Sequence, residues 1–287
     1  MNISVTERQS FKRCRRAWDY SSTNRQRLES IIPKPALGLG TLIHRTHAKW
    51  IICPECDPDQ IFIDDAALEI ERIKNRYKKR VGAMPNDEEM RDTIDSVVLG
   101  RAMLRNYKSY YGSPVPADMK AFANEQTLNV PVPGTNHRLV ARMDTILQDN
   151  KGNLWIRDLK TYTHKQSDQD LQMNDQFLAY QWMLDSLGMG RVAGVLYDGM
   201  YKRAEPVRGK GLEDLFHRIR ISRNSEELEE FGKFLQHEIS DMVNNPILYT
   251  NRRWEGCTRD CQFLKLCIAE SRDEDVDYIR EHFYTSR

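Results

Sequence analysis

The chain has 287 residues, of which 40% are apolar and 30% charged. That is enough apolar material for a buried core and too much for a wholly disordered chain, and no apolar run approaches the roughly 18 residues of a membrane-spanning helix. With 43 basic against 42 acidic side chains there is no bulk field to steer the molecule to nucleic acid, so any such contact must come from local patches.

The first twenty residues are basic and polar and lack the apolar stretch of a signal peptide, so a cytoplasmic or nucleoid setting without disulfides is expected. Residues 4 to 20 read as a helix. Lys12, Arg13, Arg15 and Arg16 form a first basic patch on it, close to Trp18 and Tyr20. Pro33 and Pro35 mark a break, and residues 37 to 52 read as a second helix that carries Leu39, Leu42, Ile43 and Trp50 with His44 and His47 among them. From 64 to 111 the pattern stays helical, interrupted near Met84-Pro85-Asn86-Asp87, which predicts two or three helices in an inserted helical segment of about 53 to 120. A second basic patch lies there, Arg72, Lys74, Arg76, Lys78, Lys79 and Arg80 around Tyr77. A solvated helical face accounts for either patch as well as nucleic-acid contact does.

Residues 122 to 132, 138 to 148 and 153 to 161 are short β-prone runs separated by V-P-G-T-N and Q-D-N-K-G turns, predicting an antiparallel meander. A helix is predicted from 168 to 187, with Met173, Phe177, Tyr180, Leu184 and Leu187 on the face that packs on the sheet. Residues 191 to 201 read as a strand, 215 to 222 as a further one, and 225 to 243 as a helix. The tail, about 246 to 287, holds a cysteine group.

Within L-W-I-R-D-L-K-T the period-two rule puts Asp158 and Lys160 on one face with Leu154 and Ile156. Asp144, on the preceding strand, lies about four residues before the hairpin turn and Asp158 about six after its Gly152, so cross-strand proximity of the two carboxylates is geometrically reasonable. Two carboxylates sharing a hard divalent cation suit phosphodiester hydrolysis. D-x-K occurs three times, at Asp118, Asp149 and Asp158. Only the third sits inside an apolar strand with another Asp beside it, the first falling in a Pro-rich connector and the second in the turn. The plain alternative for it is a surface ion pair.

In chain order, G-L-G-T-L-I-H ending in His44, A-R-M-D ending in Asp144, D-L-K at 158 to 160 and Q-F-L-A-Y from Gln176 to Tyr180 resemble the RecB-type branch of the PD-(D/E)xK nuclease superfamily. The resemblance implies an α/β, restriction-endonuclease-like fold: a mixed β-sheet core flanked by helices, here one nuclease domain with the helical insertion outside the matched pattern. It implies that His44, Asp144 and Asp158 ligate Mg²⁺ or Mn²⁺ with the Leu159 carbonyl. Lys160 would orient the attacking water or stabilise phosphate charge, while Gln176 and Tyr180 contact the nucleic acid. Tyr180 is equally a candidate for plain core, His47 for the His44 role, and Glu125 for an outer carboxylate.

Cys257-T-R-D-Cys261-Q-F-L-K-L-Cys267, with Cys14 near the start, is similar to the cysteine set of the iron–sulfur members, AddB-type recombination nucleases and CRISPR-adaptation nucleases. It implies a structural [4Fe-4S] cluster, although the family more often has two residues between its first two terminal cysteines and this chain has three. Cys53-P-E-Cys56 has zinc-knuckle spacing, with His44 or His47 as further ligands, and stands as the rival metal reading, free buried or exposed thiols being the equal alternative for the pair. The function expected is a metal-dependent DNA exonuclease acting on single-stranded ends, in recombination, repair or phage DNA metabolism. The alternative is a non-catalytic nucleic-acid-binding or assembly subunit of a recombination or CRISPR-adaptation complex. A homo-oligomer is compatible with either, and the lack of a G-x-x-x-x-G-K-[ST] P-loop argues against an ATP-driven motor on this chain.

Overall fold

A computed structural model describes residues 1–30, 38–259 and 261–286. The break expected at Pro33 and Pro35 lies outside the described residues. In chain order the elements are β1 (Asn2–Ser4), α1 (Val5–Arg13), α2 (Arg15–Ser21), β2 (Leu28–Ser30), α3 (Leu39–Ile52), α4 (Pro58–Val81), α5 (Asp87–Tyr111), β3 (Met119–Pro131), β4 (Arg138–Asp149), β5 (Leu154–Tyr162), α6 (Asp168–Gln172), α7 (Asp175–Ser186), β6 (Val192–Tyr201), β7 (Phe216–Ile221), α8 (Ser225–Asn244), α9 (Trp254–Thr258), α10 (Leu264–Arg272), α11 (Val276–Phe283) and β8 (Tyr284–Ser286). Among the described residues no helix is long and apolar enough to cross a membrane. The chain divides into two compact units, Met1–Lys34 with Asn129–Ala141 and Gly232–Arg287, and Pro35–Leu128 with Arg142–Phe231.

The second unit holds a mixed sheet flanked by helices. Strands β4 and β5 pair antiparallel, with Thr145 opposite Arg157 and Gln148 opposite Leu154, and β3 joins β4. Strands β5 and β6 are parallel, Asp158 beside Tyr197 and Leu159 beside Asp198, and β7 returns antiparallel to β6. A parallel pair needs a long crossover, which α6 and α7 supply. Six successive residues of β5, Leu154 to Leu159, are buried, because helices cover both faces. Leu159 and Met200 join the core formed with α3, α4 and α5. On the other face Phe177 of α7 meets Tyr197. Two glycines allow close approaches: a Cβ on Gly194 would lie 2.1 Å from the Ile221 carbonyl oxygen, and one on Gly100 would lie 2.2 Å from the Phe62 ring.

The helix expected at 168 to 187 is broken. Asn174 caps α7 by accepting from the Gln176 amide, and the chain turns at Met173. Of the stripe, Phe177, Tyr180 and Leu184 are buried while Met173 and Leu187 are exposed; the break rotates Met173 off the packing face. The region 64 to 111 belongs to two helices, with Gly82 in a left-handed conformation closing α4.

In the first unit β1 runs parallel to the start of β4, and β2 pairs antiparallel with β8. Ser4 and Glu7 form a capping box that starts α1. The helix expected over 4 to 20 is split at Cys14, which is extended at φ −164° and ψ 114° and ends α1 as it starts α2. This turn lets Ala17 and Tyr20 pack with Phe263, Leu266 and Tyr284, around which Cys14, Cys261 and Cys267 also gather. The first basic patch is absorbed by ion pairs: Lys12 with Glu238, Arg15 with Asp241 and Arg16 with Glu270. Three of its four cations are thus held within the fold, while Arg13 is exposed.

Candidate active site

His44 lies on α3, whose apolar residues Leu42, Ile43 and Trp50 are buried. Its Nδ1 lies 3.1 Å from Asp144 Oδ1. The second Asp144 oxygen accepts from the Leu159 amide at 3.0 Å, just past the Thr145–Arg157 pair where the β4–β5 ladder ends. The next residue across is Asp158. Its Oδ1 accepts from Lys160 Nζ at 3.1 Å, whereas Oδ2 is buried without a hydrogen-bond partner. Gln176 Nε2 donates to the Tyr180 hydroxyl at 2.6 Å, which in turn lies 3.5 Å from the Arg142 carbonyl. The structure thus gathers His44, Asp144, Asp158, Lys160, Gln176 and Tyr180 in one unit. Of Leu159, the amide holds Asp144 and the side chain is core.

The two carboxylates are driven apart. Burial acts to raise the Asp144 carboxyl, but the His44 imidazole, the Leu159 amide and the Lys160 charge together hold it below its usual value. Asp158 goes the other way: burial raises it, and the Asp144 charge adds to this against the pull of Lys160. Tyr180 is pushed up by burial and by the charge of Asp158. A cavity of about 740 Å³ opens beside His44 and Asp144. Its rim includes Arg142, paired with Glu125, and Lys49, paired with Asp65 at 2.6 Å. Glu125 has φ 53°, a left-handed conformation rare for a residue with a side chain. Lys160 borders a second opening with His164 and Lys202.

The other two D-x-K motifs are structural. Asp118 pairs with Arg220, and Asp149 closes the hairpin by accepting from Lys151, Asn153 and Trp155. His47 is no rival ligand. It is buried, with Nδ1 3.0 Å from Arg157 Nη2, and burial and then the Arg157 charge hold its pKa well down. Arg157 also donates to Asp198 at 2.6 Å and Tyr107 at 3.1 Å, and Arg218 completes the network on Asp198. Period two separates neighbours in β5: Arg157 turns to this network and Asp158 to the α7 side. Sequence reasoning missed Arg157, Asp198 and Tyr107, although a charge inside an apolar strand was the available signal.

Cys53 and Cys56 form a disulfide, which corrects the expectation of no disulfides: the turn between α3 and α4 brings the two sulfurs together, while His44 and His47, the further ligands offered for a zinc knuckle, are held by Asp144 and Arg157. Cys53, Glu55 and Cys56 are also the only group of three or more ligand atoms within 4.8 Å of one another among the described residues. Cys14, Cys257, Cys261 and Cys267 are not disulfide-bonded. Burial pushes the Cys261 and Cys267 thiols up, and in each the charges of neighbouring cysteines add to it. Cys14 Sγ lies 3.5 Å from the Asn251 amide.

No curated protein matches this sequence. Two solved structures are similar over most of their length. One, SSO0001, is 15% identical with a TM-score of 0.37, covering 93% of this chain and 86% of its own. The other, a protein named "Putative exonuclease" from Eubacterium rectale, is 10% identical with a TM-score of 0.45, covering 90% and 93%. The sequence profile of the PD-(D/E)XK nuclease superfamily, whose members use divalent metals, matches residues 2–268, and the chain belongs to that family.

Proposed function

We propose that the chain is a metal-dependent deoxyribonuclease, an exonuclease acting on single-stranded DNA ends in recombination, repair or phage DNA metabolism. The observation that carries this reading is the buried, unpartnered Asp158 Oδ2 beside the Asp144–His44 pair. An orphaned carboxylate oxygen next to a second carboxylate and an imidazole suits a divalent cation. His44, Asp144, Asp158 and the Leu159 carbonyl would hold Mn²⁺ or Mg²⁺, with the imidazole favouring Mn²⁺. Such a cation lowers the pKa of a bound water and neutralises phosphoryl charge. Lys160 offsets negative charge on the scissile phosphate from its half-exposed position over Asp158. Gln176 and Tyr180, locked to each other, present one amide and one neutral hydroxyl to the backbone. The exposed basic side chains of α4 contribute phosphate contacts, sensitive to salt.

The same reading assigns a [4Fe-4S] cluster to Cys14, Cys257, Cys261 and Cys267. Its support is that all four lie in the first unit and that Cys14, Cys261 and Cys267 gather around one small core there. The test is degradation of end-labelled single- and double-stranded DNA with Mn²⁺ or Mg²⁺, beside Asp158→Ala. Cleavage that vanishes in the variant supports the enzyme. Equal DNA binding by both with no cleavage by either moves the assembly-subunit reading ahead. Visible charge-transfer absorption lost in Cys14→Ser tests the cluster.

A further inference from the structure

The nuclease reading leaves the C-P-E-C motif unused. Cys53 follows the last turn of α3, and Cys56 precedes Asp57, the residue that begins α4. The turn between them is already closed without sulfur: the Cys56 amide donates to the Cys53 carbonyl at 3.0 Å, and Trp50 Nε1 donates to the Pro54 carbonyl at 3.2 Å. Stabilisation by a disulfide grows with the loop it closes, and this one closes only the four residues 53 to 56. The bond therefore adds little to holding the fold. Both cysteines are half-exposed, and Pro54 and Glu55 between them are exposed, so an incoming thiolate has access.

The two sulfurs differ electrostatically. Glu55 Oε1 lies 3.0 Å from Cys53 Sγ, and Cys53 sits at the carbonyl end of α3; both disfavour a thiolate there. Cys56 stands at the amide end of the 24-residue helix α4, which favours one. We infer that Cys53–Cys56 is a reversible thiol–disulfide exchange site whose partner reagent is a dithiol. One thiolate of the dithiol attacks Cys53 Sγ, and the S–S bond breaks with its electron pair passing to Cys56. The second thiolate of the dithiol then attacks its own mixed-disulfide sulfur and expels Cys53. The dithiol leaves as a disulfide, and the pair gains the two electrons and two protons. The exchange occurs at the end of the helix that carries His44, with Ile52 and Lys49 on the rim of the same cavity.

The test uses the intact protein in native buffer under a graded dithiol/disulfide ratio. Alkylation followed by peptide mass spectrometry reads Cys53 and Cys56 separately from the other cysteines, and Trp50 emission reports the turn. The expected result is reversible conversion of both cysteines to thiols with unchanged far-ultraviolet circular dichroism. Trp50 emission rises over the same range, and the rise is missing from Trp50→Phe and from Cys53→Ser/Cys56→Ser. Reduction only after denaturant would overturn the inference by making the bond structural. A reduced pair that retains one Zn²⁺ per chain and no longer re-forms the bond would overturn it in favour of a metal site. No arm requires DNA cleavage, so failure here is distinct from failure of the nuclease reading.

Discussion

Asp158 is expected to be a stability liability retained for its chemistry, and Asp158→Asn exposes this. The carboxylate is 2% exposed, one oxygen lacks a partner, and Asp144 stands across from it. Burial and then the Asp144 charge outweigh Lys160, so the folded-state pKa lies above the ordinary carboxylate value. For a group raised in this way, the stability its protonated form provides is complete below the unfolded value of about 3.9 and is lost as pH rises through the folded one. Asparagine stays neutral throughout, so the variant escapes that loss. Asparagine keeps a polar atom where Oδ2 stands, so only the charge contribution changes, at about 1.4 kcal/mol for each unit by which the folded pKa exceeds the unfolded one. Asp158→Asn should therefore melt above the wild type at neutral pH in chelator, by about 2–4 °C for each kcal/mol gained. Scanning fluorimetry from about pH 4 to about pH 8 should show the gap opening with pH, and Mn²⁺ should stabilise the wild type alone. A variant that melts at or below the wild type in chelator at neutral pH refutes the reasoning.

Asp198→Asn leaves the Arg157 and Arg218 guanidinium groups buried against a neutral partner and should cost about 3–5 kcal/mol in a urea titration. Gly100→Ala drives a methyl into the Phe62 ring; overpacking of about 1–3 kcal/mol should exceed the helix-propensity gain of about 1 kcal/mol, read as a lower denaturant midpoint. At high pH the sign follows from Tyr197, whose hydroxyl is pushed up to about 12 by burial and by the charges of Asp158 and Asp198. Its neutral form stabilises the fold fully below the unfolded value of about 10, and that stability is lost as pH rises through the folded one. The part of the tyrosinate absorbance that is missing from Tyr197→Phe should therefore rise together with the loss of circular dichroism, above about pH 10.

Much of the fold was legible because hydrophobic period is a local property. Strands β4 and β5 and helix α3 appear within a few residues of where alternation and helical spacing put them, and counting from the hairpin turn was enough to set Asp144 across from Asp158. The breaks at Cys14 and after Met173 were not legible, since one extended residue, Cys14 in the first and Asn174 in the second, leaves the apolar spacing on either side intact. His44 and His47 lie one turn apart on the same helix with similar neighbours in sequence. Only packing decides between them: His44 meets Asp144, and His47 meets Arg157 in the interior. The same holds for Arg157, Asp198 and Tyr107, brought together from three elements across wide gaps in sequence. The C-P-E-C pair likewise has the same spacing whether it binds zinc or forms a disulfide. The sequence alone determined most of the helices and strands around the site and the candidate carboxylate pair, because each rests on short-range periodicity or on residues one hairpin apart, while the mixed-sheet class followed from the family resemblance. Which polar groups are buried, and with what partners, was left to the tertiary structure, because burial of a charge is tolerated only where distant residues supply its counter-charge.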